Sequence, residues 1–171
     1  PDIQKKVAAE VSAVGQRELT AEDLPRLGYT TQVLKEALRL CPPGATIPRT
    51  ALRDIDVDGH RVEAGTLVAY GIYAVQRDPV YWEQPLVFDP ERFSEDRMKG
   101  RGRWQYVPFG GGPRSCIGEH FAMLEATLAL ATIARRIEVT SLRRDFPLTV
   151  PFTMIAAAPV PALTVARRSE S

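Results

Sequence analysis

Residues 109–118, with the sequence Phe-Gly-Gly-Gly-Pro-Arg-Ser-Cys-Ile-Gly, are the feature that most limits how this chain can fold. The glycines and the proline interrupt regular secondary structure, and the apolar periodicity that begins at Ile117 predicts a long helix directly afterwards. The loop thus carries one cysteine, Cys116, two residues after Arg114 and just before a helix. A cysteine in such a loop is either an inert packing residue or a ligand.

The other residues of the loop favour a ligand role for Cys116. A cationic iron centre and a helix N-terminus both favour the thiolate, which is the form that binds metals. Glycines let the backbone approach a flat macrocycle, and the Arg114 guanidinium can bind a carboxylate through two hydrogen bonds. A phosphate-binding Walker loop is excluded because Gly-Lys followed by Ser or Thr does not occur here. Zinc is disfavoured because the chain has no Cys-x-x-Cys pair. Its candidate ligands would be Cys116, His120, Cys41 and His60.

Composition narrows the function class. A chain of 171 residues with 44% hydrophobic and 25% charged residues suits one globular domain or part of a larger one. A net charge of +1 gives no electrostatic reason to expect a nucleic-acid partner. Two distant cysteines make no disulfide framework, and no apolar run is long enough to cross a bilayer. We therefore expect a soluble, cytoplasmic protein, with an N-terminal anchor outside this sequence as the alternative.

The first third of the chain predicts helices within residues 1–41. Thr20 and Asp23 have the spacing of a capping box, and Pro42-Pro43-Gly44 ends the last helix. Cys41 continues the apolar stripe of that helix, which predicts that it packs in the core. The apolar positions of the first helix are Ile3, Val7, Val11 and Val14.

The remaining chain predicts short strands and one long helix. A small sheet is expected in 47–70, where Asp58-Gly59 is typical of a two-residue hairpin turn, followed by an exposed His60. Residues 77–108 lack periodicity and predict a long coil, which needs specific contacts to hold it. The long helix is expected at 117–136 and terminal strands at 137–166. The predicted class is mainly α with small β-sheets (α+β), in a single piece, 1–171. The expected apolar seam of the long helix is Phe121, Leu124, Leu128 and Ala131.

Residues 109–118 match Phe-x-x-Gly-x-Arg-x-Cys-x-Gly without a departure, and this pattern resembles the haem-binding loop of the cytochrome P-450 family, the haem-thiolate monooxygenases. The resemblance implies the C-terminal part of that fold and haem b (heme b, iron protoporphyrin IX) as the cofactor. Cys116 is then the axial ligand of the iron, Phe109 shields its sulfur, and Arg114 binds a propionate. Arg49 would bind the second propionate. The implied glycine contacts of the cofactor are Gly110, Gly112 and Gly118.

Further motifs agree with the resemblance. Glu36 and Arg39 form Glu-x-x-Arg on one helix face, and Arg92 stands where the family places a third partner, so the three are implied to pin the coil. Gln76 stands where many members carry a histidine near a propionate, and glutamine leaves that contact open. A basic alternation before the loop is either a solvated coil or a docking surface for an acidic electron-donor protein. Its members are Arg97, Lys99, Arg101 and Arg103.

The resemblance implies an oxidoreductase that inserts one oxygen atom from O₂ into a lipophilic small molecule. Its electrons would come from a ferredoxin or a flavoprotein reductase. The residues implied to line the substrate pocket, for which ordinary strand and turn packing is the alternative, are Gly44, Ala45, Thr46, Ile47, Phe152 and Thr153. A haem-thiolate isomerase, dehydratase or peroxygenase remains a second hypothesis, and a non-catalytic haem-binding module a third.

The resemblance covers nearly the whole chain but only the C-terminal part of a family member. The distal helix of the family carries an acidic residue and a threonine that deliver protons, and its Ala/Gly-Gly-x-Asp/Glu-Thr pattern does not occur here. We therefore expect a fragment that needs the N-terminal part of the same enzyme as a partner. Alone it would be inactive, with no catalytic residue beyond the haem ligand.

Overall fold

The computed structural model describes residues 2–143, 147–150 and 153–167. Its helices are α1 (Asp2–Val14), α2 (Gly28–Leu40), α3 (Ile72–Val75), α4 (Glu95–Met98) and α5 (Glu119–Arg136). Short 3₁₀ segments lie at Ala21–Arg26, Pro90–Phe93 and Gly112–Arg114. None of the helices in the described part of the chain is both long and apolar enough to span a membrane.

The strands form small antiparallel sheets of two strands each. They are β1 (Ile47–Thr50), β2 (Ile55–Val57), β3 (His60–Val62), β4 (Leu67–Tyr70), β5 (Ile137–Ser141), β6 (Leu148–Thr149), β7 (Ile155–Ala156) and β8 (Ala162–Ala166). The pairs are β1 with β4, β2 with β3, β5 with β8 and β6 with β7. The predicted α+β class is confirmed, but each of the two expected sheets is divided into two separate pairs.

The hairpin between β2 and β3 shows how closely local sequence sets local structure. Asp58 and Gly59 both have positive φ, 52° and 80°, which is the backbone geometry that a two-residue hairpin turn requires. The register pairs Val57 with His60 directly across the turn. His60 is exposed, as predicted.

The core lies where α1, α2 and α5 pack together with the segment Ala21–Arg26. Helix α2 begins without a capping side chain of its own, and Glu10 of α1 supplies the missing acceptors. Its carboxylate accepts hydrogen bonds from Tyr29 N at 2.6 Å and Thr30 N at 2.8 Å. The buried apolar residues of the core are Val7, Val11, Val14, Leu27, Ala131 and Ala134.

The predicted capping box at Thr20 and Asp23 is present. A hydrogen bond from Arg17, together with one from the Thr20 backbone N–H, holds the pKa of Asp23 well below its usual range. The buried Asp23 carboxylate therefore stays ionised and keeps the turn before α2 in place.

Three details of the sequence prediction were wrong. Cys41 is exposed because it follows the last turn of α2, where the backbone leaves the helical conformation at φ −131° and ψ 66°. Phe121 is 69% exposed because α5 makes its fully buried contacts only from Thr127 onward. The segment 77–108 is not entirely coil, since Pro90–Phe93 and α4 form short helices within it.

We expect Leu27→Ala to lower the free energy of unfolding by about 2–5 kcal/mol, because Leu27 is fully buried among the three helices and its truncation leaves a cavity. The matched control is Leu52→Ala, since Leu52 is 94% exposed. The control should change stability by no more than about 0.5 kcal/mol. Urea denaturation of both variants measures the difference, and equal losses would contradict this assignment of the core.

Candidate functional site

The cysteine loop, residues 109–118, is folded back on itself by its own backbone. Cys116 N donates to Phe109 O at 2.9 Å, and Ser115 N donates to Gly112 O at 3.1 Å. Gly110 and Gly112 have φ of 76° and 75°, in the left-handed region that side-chain-bearing residues rarely adopt. The glycines are therefore required by the shape of the loop itself.

Cys116 lies where the loop closes on Phe109, and its side chain is exposed. Helix α5 begins three residues beyond the cysteine, after Gly118 at the N-cap position. A Cβ atom built on Gly118 would lie 3.8 Å from Cys116 Sγ, so the sulfur sits close to the first turn of the helix. The unpaired N–H groups and the dipole of that helix end favour negative charge on the sulfur.

One aromatic side chain, Trp104, and one aliphatic side chain, Ile47, contact the loop from outside. A Cβ on Gly111 would clash with the Trp104 ring, and one on Gly110 would lie 3.1 Å from Ile47 Cδ1. Tyr70 of β4 donates its hydroxyl to Trp104 O at 3.0 Å. The sheet of β1 and β4 thus lies directly against the cysteine loop.

The two arginines expected to bind propionates have guanidinium groups available to a ligand. Arg49 lies two residues after Ile47 on β1, so its side chain is on the sheet face that contacts the loop. Arg49 Nη1 donates a hydrogen bond to the adjacent Pro48 O at 2.8 Å. Arg114 is exposed and makes no hydrogen bond to any residue within the described ranges.

The residues expected to line a substrate pocket lie beside β1. Met154 N donates to Pro43 O at 2.9 Å, which places Thr153 close to the segment 44–47. Gly44, Thr46 and Thr153 are exposed, whereas Ala45 and Ile47 are half-buried. Phe152 lies outside the described residues.

The structure brings Glu36, Arg39 and Arg92 together in a buried ion network. Their exposed fractions are 0%, 0% and 3%. Arg39 Nε donates to Glu36 Oε2 at 2.7 Å and Arg39 Nη2 donates to Glu36 Oε1 at 2.9 Å. Arg92 Nε lies 3.4 Å from Glu36 Oε1. Two cations therefore share one carboxylate out of water.

The network holds the irregular segment before the loop through backbone carbonyls. Arg39 Nη1 donates to Gln76 O at 2.8 Å and to Pro85 O at 2.7 Å. Arg92 donates to Glu83 O and to Gln84 O. Glu36 also accepts a hydrogen bond from Asp89 N at 2.8 Å. These bonds satisfy buried backbone groups that regular secondary structure would otherwise pair.

Sequence reasoning missed an aromatic cluster beside this network. Trp82 is 1% exposed and contacts two guanidinium groups, with Arg39 Cζ 5.0 Å and Arg101 Cζ 3.9 Å from its ring centroid. Phe93 and Tyr106 complete the cluster, with their ring centroids 4.8 Å apart. Burial raises the pKa of Tyr106, so its hydroxyl stays neutral and donates to Lys35 O at 3.1 Å. The signal for this cluster in the sequence was Trp82, a large apolar residue in a segment without periodicity.

The basic alternation before the loop is neither a free patch nor a fully solvated coil. Arg97 pairs with Asp89 at 2.7 Å and Lys99 with Asp96 at 2.8 Å. Arg101 stacks on Trp82, where burial lowers its pKa. Arg103 stacks on the half-exposed Trp104. The four basic residues therefore have different surroundings.

Comparison with known proteins identifies the class of site. The family model described as Cytochrome P450 matches residues 1–165. Human Cytochrome P450 4V2 is 42% identical over 144 residues, which cover 82% of this chain and 27% of that protein. Cyclooctat-9-en-7-ol 5-monooxygenase of Streptomyces melanosporofaciens is 40% identical over 137 residues, covering 80% of this chain and 30% of that protein.

A solved structure agrees with these relatives. Retinoic acid bound cyanobacterial CYP120A1 superposes with a TM-score of 0.90 at 33% identity, over 97% of this chain and 39% of that one. The chain belongs to the cytochrome P450 family. It spans less than one third of the length of the curated relatives it matches.

The residues around Cys116 fit the haem that the family implies. A soft sulfur ligand is accessible, and the apolar side chains of Ile117 and Phe121 are exposed next to it. Two guanidinium groups, those of Arg49 and Arg114, are available to carboxylates. This donor set matches a flat apolar macrocycle that carries a metal at its centre and carboxylates at its edge.

We expect Glu36→Gln to lower the free energy of unfolding by about 3–5 kcal/mol, because it leaves Arg39 and Arg92 buried without a counter-ion. The control is Asp96→Asn, which breaks the exposed pair with Lys99 and should cost no more than about 1 kcal/mol. Chemical denaturation measures both variants. Similar small losses of stability in the two variants would show that the ion network does not hold the segment before the loop.

Proposed function

We propose that this chain carries the cysteine side of the haem site in a haem-thiolate monooxygenase, an enzyme that inserts one oxygen atom from O₂ into a lipophilic small molecule. The observation that supports this most directly is the exposed Cys116 at the N-terminal end of α5, in a loop closed by the bond from Cys116 N to Phe109 O. The haem, when bound, supplies the oxygen-activating chemistry, and a thiolate ligand donates electron density that favours O–O cleavage.

The protein groups have separate roles in this proposal. Cys116 binds the iron as a thiolate, which the end of α5 stabilises. Arg49 and Arg114 bind the two propionates through charge-assisted hydrogen bonds and so set the orientation of the ring. Phe109 would shield the sulfur from water, and the glycines of the loop would allow the ring to approach the backbone. Haem b is the form that this non-covalent set of contacts suits.

The substrate side is proposed from residues 44–47 with Phe152 and Thr153. Ala45 and Ile47 are apolar, and Ile47 also contacts the loop at Gly110, so this segment lies close to the cofactor side of the molecule. A small apolar lining favours a lipophilic substrate. The relative Cyclooctat-9-en-7-ol 5-monooxygenase, whose name describes oxygen insertion, supports the same reaction type.

An electron-donor protein, either a ferredoxin or a flavoprotein reductase, is the proposed partner. Arg103 and the Trp104 that it stacks on are exposed immediately before the loop, and Trp104 contacts Gly111 within it. A cation at that place would steer an acidic donor toward the cysteine side. Because the chain spans less than one third of its relatives, turnover is proposed for the enzyme as a whole. We expect the chain alone, supplied with haem, a reductant and O₂, to form no oxygenated product.

We expect the haem-loaded chain, once reduced and exposed to carbon monoxide, to show the red-shifted Soret band of a thiolate ligand. Cys116→Ser should abolish that band, because a neutral hydroxyl ligand does not donate as strongly. Cys41→Ser is the matched control, since Cys41 is also exposed but lies at the end of α2. Absorption spectroscopy measures the band in both variants. Retention of the band in Cys116→Ser, together with its loss in Cys41→Ser, would overturn the assignment of Cys116 as the ligand.

We expect Arg49→Ala and Arg114→Ala each to raise the dissociation constant of haem by about tenfold or more, because each lost charge-assisted hydrogen bond contributes about 1.5–3 kcal/mol. Arg53→Ala, another exposed arginine near β1, is the control and should leave the constant unchanged. Titration of haem into each variant provides the measurement. An equal effect of all three substitutions would indicate a nonspecific loss of positive charge.

A further inference from the structure

Gln76 is a fully buried polar residue that joins two distant parts of the chain. It follows α3 directly, at the C-cap position. Its Nε2 donates to Leu38 O at 3.0 Å and to Arg39 O at 3.1 Å, both in the last turn of α2. Its Oε1 accepts a hydrogen bond from Val107 N at 3.1 Å.

The surroundings of the amide determine its orientation. Two carbonyl oxygens require a donor and one N–H requires an acceptor, and a primary amide supplies both in a single orientation. The two carbonyls belong to the end of α2, where helical carbonyls have no partner within the helix. Both amide hydrogens are used in these bonds. The Gln76 side chain therefore has no donor left for a propionate, which closes the contact that the family resemblance left open.

The bond to Val107 leads directly to the cysteine loop. Val107 O accepts a hydrogen bond from Gly110 N at 2.9 Å, and Phe109 O accepts one from Cys116 N at 2.9 Å. At the other end, Arg39 Nη1 donates to the backbone oxygen of Gln76 at 2.8 Å. A continuous series of hydrogen bonds thus runs from the buried ion network through Gln76 to the backbone of the ligand loop.

We infer that Gln76 is a positioning residue. It fixes the distance between the cysteine loop and the end of α2, and so the position of the Cys116 sulfur. The inference rests on the proposed function, in which Cys116 binds the iron. Residues 111–117 are exposed, so the position of the loop depends on the contacts made at and just before its beginning. The Gln76 bond to Val107, two residues before the loop, comes from a buried side chain in a distant part of the chain.

The first test uses the chain without haem. Gln76→Leu removes all three bonds at nearly equal volume, and we expect the Val107 amide to exchange with deuterium about tenfold faster or more, relative to Ala131 in α5. Leu27→Ala is the matched control, because it weakens the helical core and should not single out Val107. If Gln76→Leu does not fold, Gln76→Asn, whose side chain is one methylene shorter, carries the same expectation. Unchanged relative exchange at Val107 would overturn the inference.

The second test uses the haem-loaded chain. We expect Gln76→Leu to lower severalfold the fraction of bound haem that gives the red-shifted carbonyl band, whereas Leu27→Ala leaves that fraction unchanged. Gln76→His should retain most of the band, because a neutral imidazole can accept from Val107 N and donate to one α2 carbonyl. A wild-type chain without the band would overturn the proposed function, while the exchange result would still decide the positioning role. A full band in Gln76→Leu would overturn the inference alone.

Discussion

The buried carboxylate of Glu36 is the group on which the arrangement before the cysteine loop depends. A buried charge is tolerated only when it is paired and hydrogen-bonded, and here two guanidinium groups and a backbone N–H surround it. Arg39 and Arg92 in turn bind carbonyls of the irregular segment between α3 and α4. The segment lacks regular secondary structure for most of its length, so these bonds replace the missing backbone ladder.

The support of the ligand loop is continuous with this network. Arg39 stacks on Trp82, whose aromatic neighbours lie on the segment leading to the loop, and it also binds the backbone of Gln76. Trp104 and Ile47 contact the loop glycines from the other side. The cysteine itself is exposed, so a well-supported loop presents a chemically accessible sulfur. This is the arrangement that a ligand to a large flat cofactor requires.

Much of the fold followed from local patterns. The first helix, the Asp58-Gly59 hairpin and the capping box of Thr20 and Asp23 depend on residues close in sequence, and each was predicted correctly. The predictions that were wrong concern the burial of side chains. Cys41 and Phe121 continue apolar stripes, yet both are exposed, because a stripe reports which helix face is apolar and not which turns meet a neighbour. Glu36 and Arg39 were recognised through a family pattern, since a Glu-x-x-Arg spacing alone is common on surfaces.

The sequence by itself determined the cysteine loop, its two left-handed glycines and the helix that follows, because these depend on backbone conformations encoded within ten residues. It could not show that Gln76 connects the end of α2 to Val107, since those partners lie 31 to 38 residues away. Nor could it show that Trp82 contacts both Arg39 and Arg101. Hydrogen bonds and stacking over such separations exist only once the chain is folded, and tertiary structure alone decided them.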